Sequence, residues 1–183
     1  MNRRTVIVSA ALMSLAALAA APMLAPMKAP PRPKKLVGAM EPFNYLLGSW
    51  EIHGTWVDGR PINAHNDYRV GVAGKFLEIN TTATDDEGKP YERYLTVFTH
   101  DDSTGTYTSH NFTFDGTSHA AEFQVNTSGE APLFSSEWSV EDANLKQSLT
   151  PIDDDSYAWK VWVQPGGQGD WQPMMDGVWR RVH

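Results

Sequence analysis

The sequence predicts an all-β domain, an antiparallel sandwich or barrel, over residues 41–183. Short runs rich in Val, Ile, Thr and aromatic residues recur there, separated by turn signals roughly every eight to twelve residues. No run after Trp50 carries a 3.6-residue apolar period or a helix cap, whereas alternation with period two is frequent. The runs place strands near 50–57, 62–72, 76–84, 91–99, 106–114, 119–126, 133–140, 145–150, 157–163 and 174–182. Between them stand residues that preset a turn or accept positive φ, such as Asp58-Gly59-Arg60-Pro61, Ser103-Thr104-Gly105 and Asp115-Gly116. A single helical turn is expected from Pro42 to Leu47, plugging one end of the domain.

Parity within each strand assigns faces, because successive strand side chains point to opposite sides. Trp50, Ile52, Gly54 and Trp56 share one face, against Glu51 and His53. Ile62, Tyr68, Val70 and Val72 are expected inside, with His65, Asp67 and Arg69 outside, and Leu77, Ile79 and Ala83 follow as an inner set. The run 91–99 reads both ways, since Leu95 and Val97 oppose Tyr94 and Phe98, with Glu92 on the latter face. Further on, Phe112 and Phe114 are expected inside with His110, and Ala121, Phe123 and Val125 with His119. The last inner sets are Phe134, Trp138 and Val140, then Tyr157, Trp159, Val161 and Val163.

The chain begins with features of an export signal. Arg3 and Arg4 precede an apolar stretch from Thr5 to Ala21, and Ala17-Leu18-Ala19 fits a cleavage site. The stretch is shorter than the roughly 20 residues a spanning helix needs, so residues 1–19 read as a signal peptide and no membrane span is expected. An ordinary secretory n-region is favoured over a loose twin-arginine signal. Residues 20–40 carry Pro22, Pro26, Pro30, Pro31 and Pro33 among Lys28, Arg32, Lys34 and Lys35, the composition of an extended linker. The expected location is periplasmic or secreted.

Composition narrows the chemistry. The absence of cysteine removes disulfides, thiolate metal sites and cysteine nucleophiles. All 22 acidic residues lie at or after Glu41 against nine Lys and Arg, near −13 for the domain, which argues against nucleic acid as a partner. The acidic turns lack the spacing of a calcium loop, no metal site is assigned, and neither a Gly-x-Ser-x-Gly elbow nor a phosphate-cradling loop occurs. Seven Trp, six Tyr and seven Phe are many for one small core, and such rings also line cavities for flat apolar ligands.

Phe43-Asn44-Tyr45-Leu46-Leu47-Gly48-Ser49-Trp50-Glu51, a short apolar turn running into Gly-x-Trp, resembles the calycin superfamily of lipocalins, fatty-acid-binding proteins and nitrobindin-like haem proteins. Gly74-Lys75-Phe76-Leu77, Gly88-Lys89-Pro90 and Asp101 to Tyr107 resemble exported bacterial lipocalin-like proteins of that group. The resemblance implies an antiparallel up-and-down β-barrel of eight to ten strands with a short N-terminal helical turn. It also implies that Trp50 floors the barrel beneath a basic residue of the last strand. Arg180, sharing parity with Val178 and Val182, is the expected partner.

The expected function is that of an exported carrier holding a small hydrophobic or aromatic molecule, lined by Trp56, Phe112, Phe114, Phe123, Trp138 and Trp159. An alternative is a cofactor-independent lyase, isomerase or cyclase acting on a small aromatic or carbonyl compound, with His110, His119, Tyr68 and Tyr94 as acid–base groups. A haem-binding barrel is a second alternative, although the histidine motif of nitrobindin-like proteins does not map onto any of the six histidines. No cofactor is assigned. Trp162 and Trp171 are the candidates for an exposed apolar patch toward a protein partner.

Overall fold

A computed structural model describes residues 33–85, 87–128 and 133–183. The expected signal peptide and most of the expected linker lie outside these residues. Ten strands follow one 3₁₀ segment, η1 (Gly38–Leu46): β1 (Gly48–Thr55), β2 (Pro61–Val70), β3 (Leu77–Thr84), β4 (Pro90–Asp101), β5 (Thr106–Thr113), β6 (Ser118–Val125), β7 (Phe134–Val140), β8 (Ala143–Asp153), β9 (Ser156–Pro165) and β10 (Gln172–Val182). A second short turn, η2 (Val72–Gly74), joins β2 to β3. Each strand pairs antiparallel with its sequence neighbours, and β10 closes on β1. The fold is therefore an up-and-down barrel, and closure removes both sheet edges. Among the described residues no helix is long and apolar enough to cross a membrane.

The expected helical turn is present and longer than Pro42–Leu47. Gly38 starts it at φ +61°, where its N–H is taken by the Glu41 carboxylate. Asn44 clamps the approach by accepting from Leu36 N–H (2.8 Å) and donating to the Leu36 carbonyl (3.0 Å). Leu36, Met40, Phe43 and Leu46 are all fully buried, so the packed unit reaches back ahead of Glu41. Phe43 sits edge-on to Phe98, Tyr107 and Phe123, which plugs this end of the barrel with rings.

Register decides the inner face. Trp50, Ile52, Tyr68, Val70, Leu77, Ile79, Ala83, Phe123, Phe134, Tyr157 and Val161 are buried on the expected side. Leu77↔Phe98 and Ile79↔Thr96 settle the ambiguous run: Phe98, Thr96 and Tyr94 point in, and Leu95 is 41% exposed outside. A bulge at Arg93, between the pairs Thr81↔Tyr94 and Thr82↔Glu92, then reverses parity, so Glu92 lies outside rather than with Tyr94 and Phe98.

Three expectations are corrected. Phe98↔Ser109 and Thr96↔Asn111 put Tyr107, Ser109, Asn111 and Thr113 inside on β5, so His110, Phe112 and Phe114 face outward. Phe112 and Phe114 are accordingly 47% and 72% exposed. Two phenylalanines at the strand end outweighed one tyrosine and three small polar residues in the sequence pattern, and the barrel turns the latter set inward. Val72, expected inside, is 73% exposed because the chain turns at Gly71 into η2. On β10 the inner set is Met175, Gly177, Trp179 and Arg181, opposite to the parity that favoured Arg180.

Candidate functional site

Arg181 is the basic residue that covers Trp50. Trp50↔Arg181 are cross-strand partners, and the guanidinium carbon stands 4.2 Å from the indole centroid. Its nitrogens donate to the carbonyls of Leu47 (2.7 Å), Tyr45 (2.9 Å) and Asp154 (3.0 Å) and to the Asp155 carboxylate (3.0 Å). Gly48, at φ +113°, turns the chain into β1 beneath this side chain, where an added Cβ would meet Nη1 at 3.2 Å. Trp50 Nε1 donates back to the Leu46 carbonyl. The cation is wholly committed to tying the plug to the wall.

Above the plug stands an aromatic wall. Trp50 lies 4.9 Å from Tyr157, Tyr157 stacks on Trp179 at 6.0 Å, and Trp159 meets both Trp179 and Trp56 edge-on at 6.2 Å. Gly177 is directly opposite Trp159 across β9–β10, and an added Cβ there would collide with Met175 and Ile52 side chains. Glycine at that position leaves room for those two side chains.

A belt of neutral polar side chains crosses the middle of the inner face in three clusters. On β2, β3 and β9, Asn66 donates to the Tyr68 hydroxyl (3.2 Å) and accepts from Thr81 (2.7 Å), and Tyr68 bonds Tyr157 (2.9 Å). On β4 and β5, Thr96 donates to Asn111 Oδ1 (2.7 Å), whose amide nitrogen reaches Ser109 (3.5 Å). On β7, β8 and β9, Trp159 Nε1 donates to Gln147 Oε1 (3.0 Å), and Gln147 donates to Ser136 (3.2 Å). Burial pushes the phenols of Tyr68 and Tyr157 upward, so both hydroxyls are neutral at physiological pH.

The inner face is less buried toward the end opposite the plug. Asn111, Gln147, Trp159, Thr81, Ala64 and Ala121 all point inward, yet each keeps part of its surface in solvent. Ten strands enclose more space than the eight that side chains alone can fill, and the inner positions here are often Gly, Ala, Ser or Thr. The inner face thus runs from an aromatic floor through a polar belt to a rim at Trp138, Leu145 and His119. Trp138 is half-buried, and Val140, on the same face nearer the mouth, is 49% exposed.

The four candidate acid–base residues are dispersed. His110 is outside, paired across the sheet with Val97 and Ala120 and 3.3 Å from Thr99 Oγ1. His119 pairs with Asn111 on the inner face but is exposed at the mouth. Tyr68 is buried in its own hydrogen-bonded cluster, and Tyr94 offers its hydroxyl to Arg93 Nε (2.9 Å). His110 and His119 therefore lie on opposite faces of one hairpin. Of the ring residues expected to line the lumen, Trp138 and Trp159 stand on the inner face and Trp56 packs edge-on against Trp159, while Phe123 belongs to the buried floor against Phe43, Phe98 and Phe134. Parity with Phe112 puts Asn111 outside and the run 145–150 gives Gln147 no face, because a half-buried amide looks like a solvated one in sequence, whereas Asn66 shares the parity of Ile62 and Tyr68.

On the outside, His65 lies between Glu51 (3.6 Å) and Asp67 (3.5 Å), and His53 lies beside Glu51 (3.5 Å). No group of three or more metal-ligating side chains with suitable geometry occurs among the described residues. Trp162 and Trp171 flank the Lys146 ammonium at 5.2 and 4.4 Å, so both rings are engaged by a cation of this chain.

No family model and no curated protein matches the chain. Among solved structures it is similar to Rv2717c of M. tuberculosis, at 17% identity over 81% of this chain and 100% of the other, TM-score 0.47. It is also similar to a fluorescence-activating β-barrel designed de novo, at 16% identity over 75% and 94% of the two chains, TM-score 0.41. A third is a structure described as EF1p2_mFAP2b bound to DFHBI, at 14% identity over 75% and 94%, TM-score 0.38.

Proposed function

We propose that this protein is an exported, calycin-like carrier that holds a small hydrophobic or aromatic molecule in the lumen of its barrel. One observation supports the reading: inward-facing side chains midway along the barrel, Asn111, Gln147 and Trp159, are only part-buried above a floor of fully buried residues such as Phe43 and Trp50. A pocket with apolar walls and a few oriented polar groups is the usual form of a small-molecule site. Export is supported by the Arg3–Ala19 pattern.

Trp56, Trp138 and Trp159 supply flat apolar contact, and His119 and Tyr94 offer polar contacts near the mouth. The enzyme reading needs acid and base on one substrate, and the dispersal of His110, Tyr68 and His119 gives it no support. Haem would need an axial ligand within the lumen. His119 is at the rim, and His100 packs on Tyr107 with its Nδ1 2.9 Å from Asp102, so the residues do not fit that group.

Native mass spectrometry of the protein secreted by its own host tests the carrier reading, with the expected result a bound small molecule released on denaturation. A barrel that is always empty, and whose melting temperature moves with no hydrophobic ligand in a broad panel, overturns it. His110→Ala should leave any measured Kd within about twofold, because that ring is outside the lumen.

A further inference from the structure

Resting on that reading, we infer that the lumen selects uncharged aromatic molecules bearing hydrogen-bond acceptors, and discriminates against carboxylates and amines. Among the described residues, no Asp, Glu, Lys or Arg stands on the inner face between the floor and the mouth. The inner-face cation, Arg181, is consumed by four acceptors beneath Trp50. At the rim Arg93 leans on its own tyrosines, donating to Tyr94 (2.9 Å) and Tyr91 (3.1 Å). The belt between them is made of amides, hydroxyls and an indole N–H. An anion lowered to that level would shed its water and meet no counter-charge, and a cation would fare the same.

The belt also has a polarity of its own. Asn111 and Gln147 each carry two amide hydrogens and commit one, to Ser109 and Ser136 respectively. Their oxygens are already accepting, from Thr96 and from Trp159. Each therefore keeps one uncommitted amide hydrogen, which suits a carbonyl, ether or similar acceptor on the ligand.

The mouth reinforces the exclusion of anions. The five turns at this end each carry carboxylates: Asp58, Asp85 with Glu87, Asp115, Glu141 with Asp142, and Asp170. Two of the bases there are already paired, Arg60 with Asp58 (2.7 Å) and Lys89 with Glu87 (2.7 Å). An anionic ring around a neutral channel repels anions during approach and leaves neutral solutes unaffected.

Titration calorimetry with one skeleton in four forms tests this: 2-naphthamide, methyl 2-naphthoate, 2-naphthoate and 2-naphthylmethylamine, at neutral pH and two salt concentrations. The amide and ester should bind at least about 100-fold more tightly than the carboxylate or the amine. The carboxylate's apparent Kd should improve about tenfold per pH unit on acidification toward its own pKa, since only its neutral form enters. Gln147→Leu should weaken the amide and ester about tenfold more than it weakens naphthalene. Gln147→Lys should shift preference toward the carboxylate; should that variant misfold, the wild-type series decides alone. Carboxylate binding as tight as that of the amide overturns the inference and leaves the carrier reading intact, and loss of that binding in Arg93→Gln would place it at the rim. Amine binding as tight overturns it equally. Failure of all four forms and of naphthalene, together with an empty barrel from the native host, overturns both.

Discussion

Arg180 and Arg181 differ in everything but their chemistry. Arg181 spends its guanidinium on three carbonyls, a carboxylate and the Trp50 face, whereas Arg180 is exposed. Arg181→Gln should cost about 3 kcal/mol, from the lost cation–π contact and the charge-assisted hydrogen bonds. Arg180→Gln should stay within about 0.5 kcal/mol, as surface substitutions do. Chemical denaturation of the two variants side by side separates them, and equal losses would contradict the assignment. Trp50 and the basic character of the last strand were legible in the sequence. Which arginine serves was not, because Val178 and Val182 suggested a parity that Trp179 and the β1 pairing reverse.

At the level of the element, η1 acts as a stopper with Phe43 at its centre. Phe43 is fully buried and makes edge contacts with Phe98, Tyr107 and Phe123. Phe43→Ala should cost about 3–5 kcal/mol by transfer and cavity terms, measurable as a fall in the denaturation midpoint. If the plug also supports the floor, the same variant should weaken ligand binding without touching the lumen. The turns at the end opposite the plug hold another device. In the β5–β6 turn, Asp115 accepts from the hydroxyls of Thr113 and Thr117 and from Thr117 N–H, which lowers its carboxyl to about 2. Carboxyl titration by NMR should find Asp115 ionised well below the usual carboxylate range, and Thr117→Val should raise it. The existence of these turns was plain from Asp-Gly and neighbouring residues. The bulge at Arg93 was not, since it appears only when β4 must pair with β3, and it moved Glu92 outside.

For the whole molecule, ionisation sets a window of stability. Asp58, Asp67, Asp101, Asp115 and Asp153 have lowered carboxyls, chiefly through hydrogen bonds from Arg60, Ser49, Ser103, Thr113 and Ser156 respectively. A depressed folded-state pKa contributes stability above the unfolded value and loses it as pH falls, so the melting temperature should decline below about pH 4. Tyr45 is raised to about 12 by burial, and Tyr68, Tyr107 and Tyr157 are raised chiefly by the same cause. A raised pKa contributes stability below the unfolded value and loses it as pH rises, so the melting temperature should fall again above about pH 10. Thermal melts across pH, with tyrosinate absorbance followed in parallel, check both limits; tyrosines that ionise near 10 without unfolding would refute the upper one. Composition and alternation were enough to establish strands, turns, the plug and most of the inner apolar face, because those depend on local propensity and on period two. Only closure of ten strands into a ring decided that His110, Phe112 and Phe114 face solvent, that Asn111 and Gln147 face inward, and that Arg181 reaches Trp50. Those outcomes depend on register between strands, which is a property of pairing and is carried by no single run of residues.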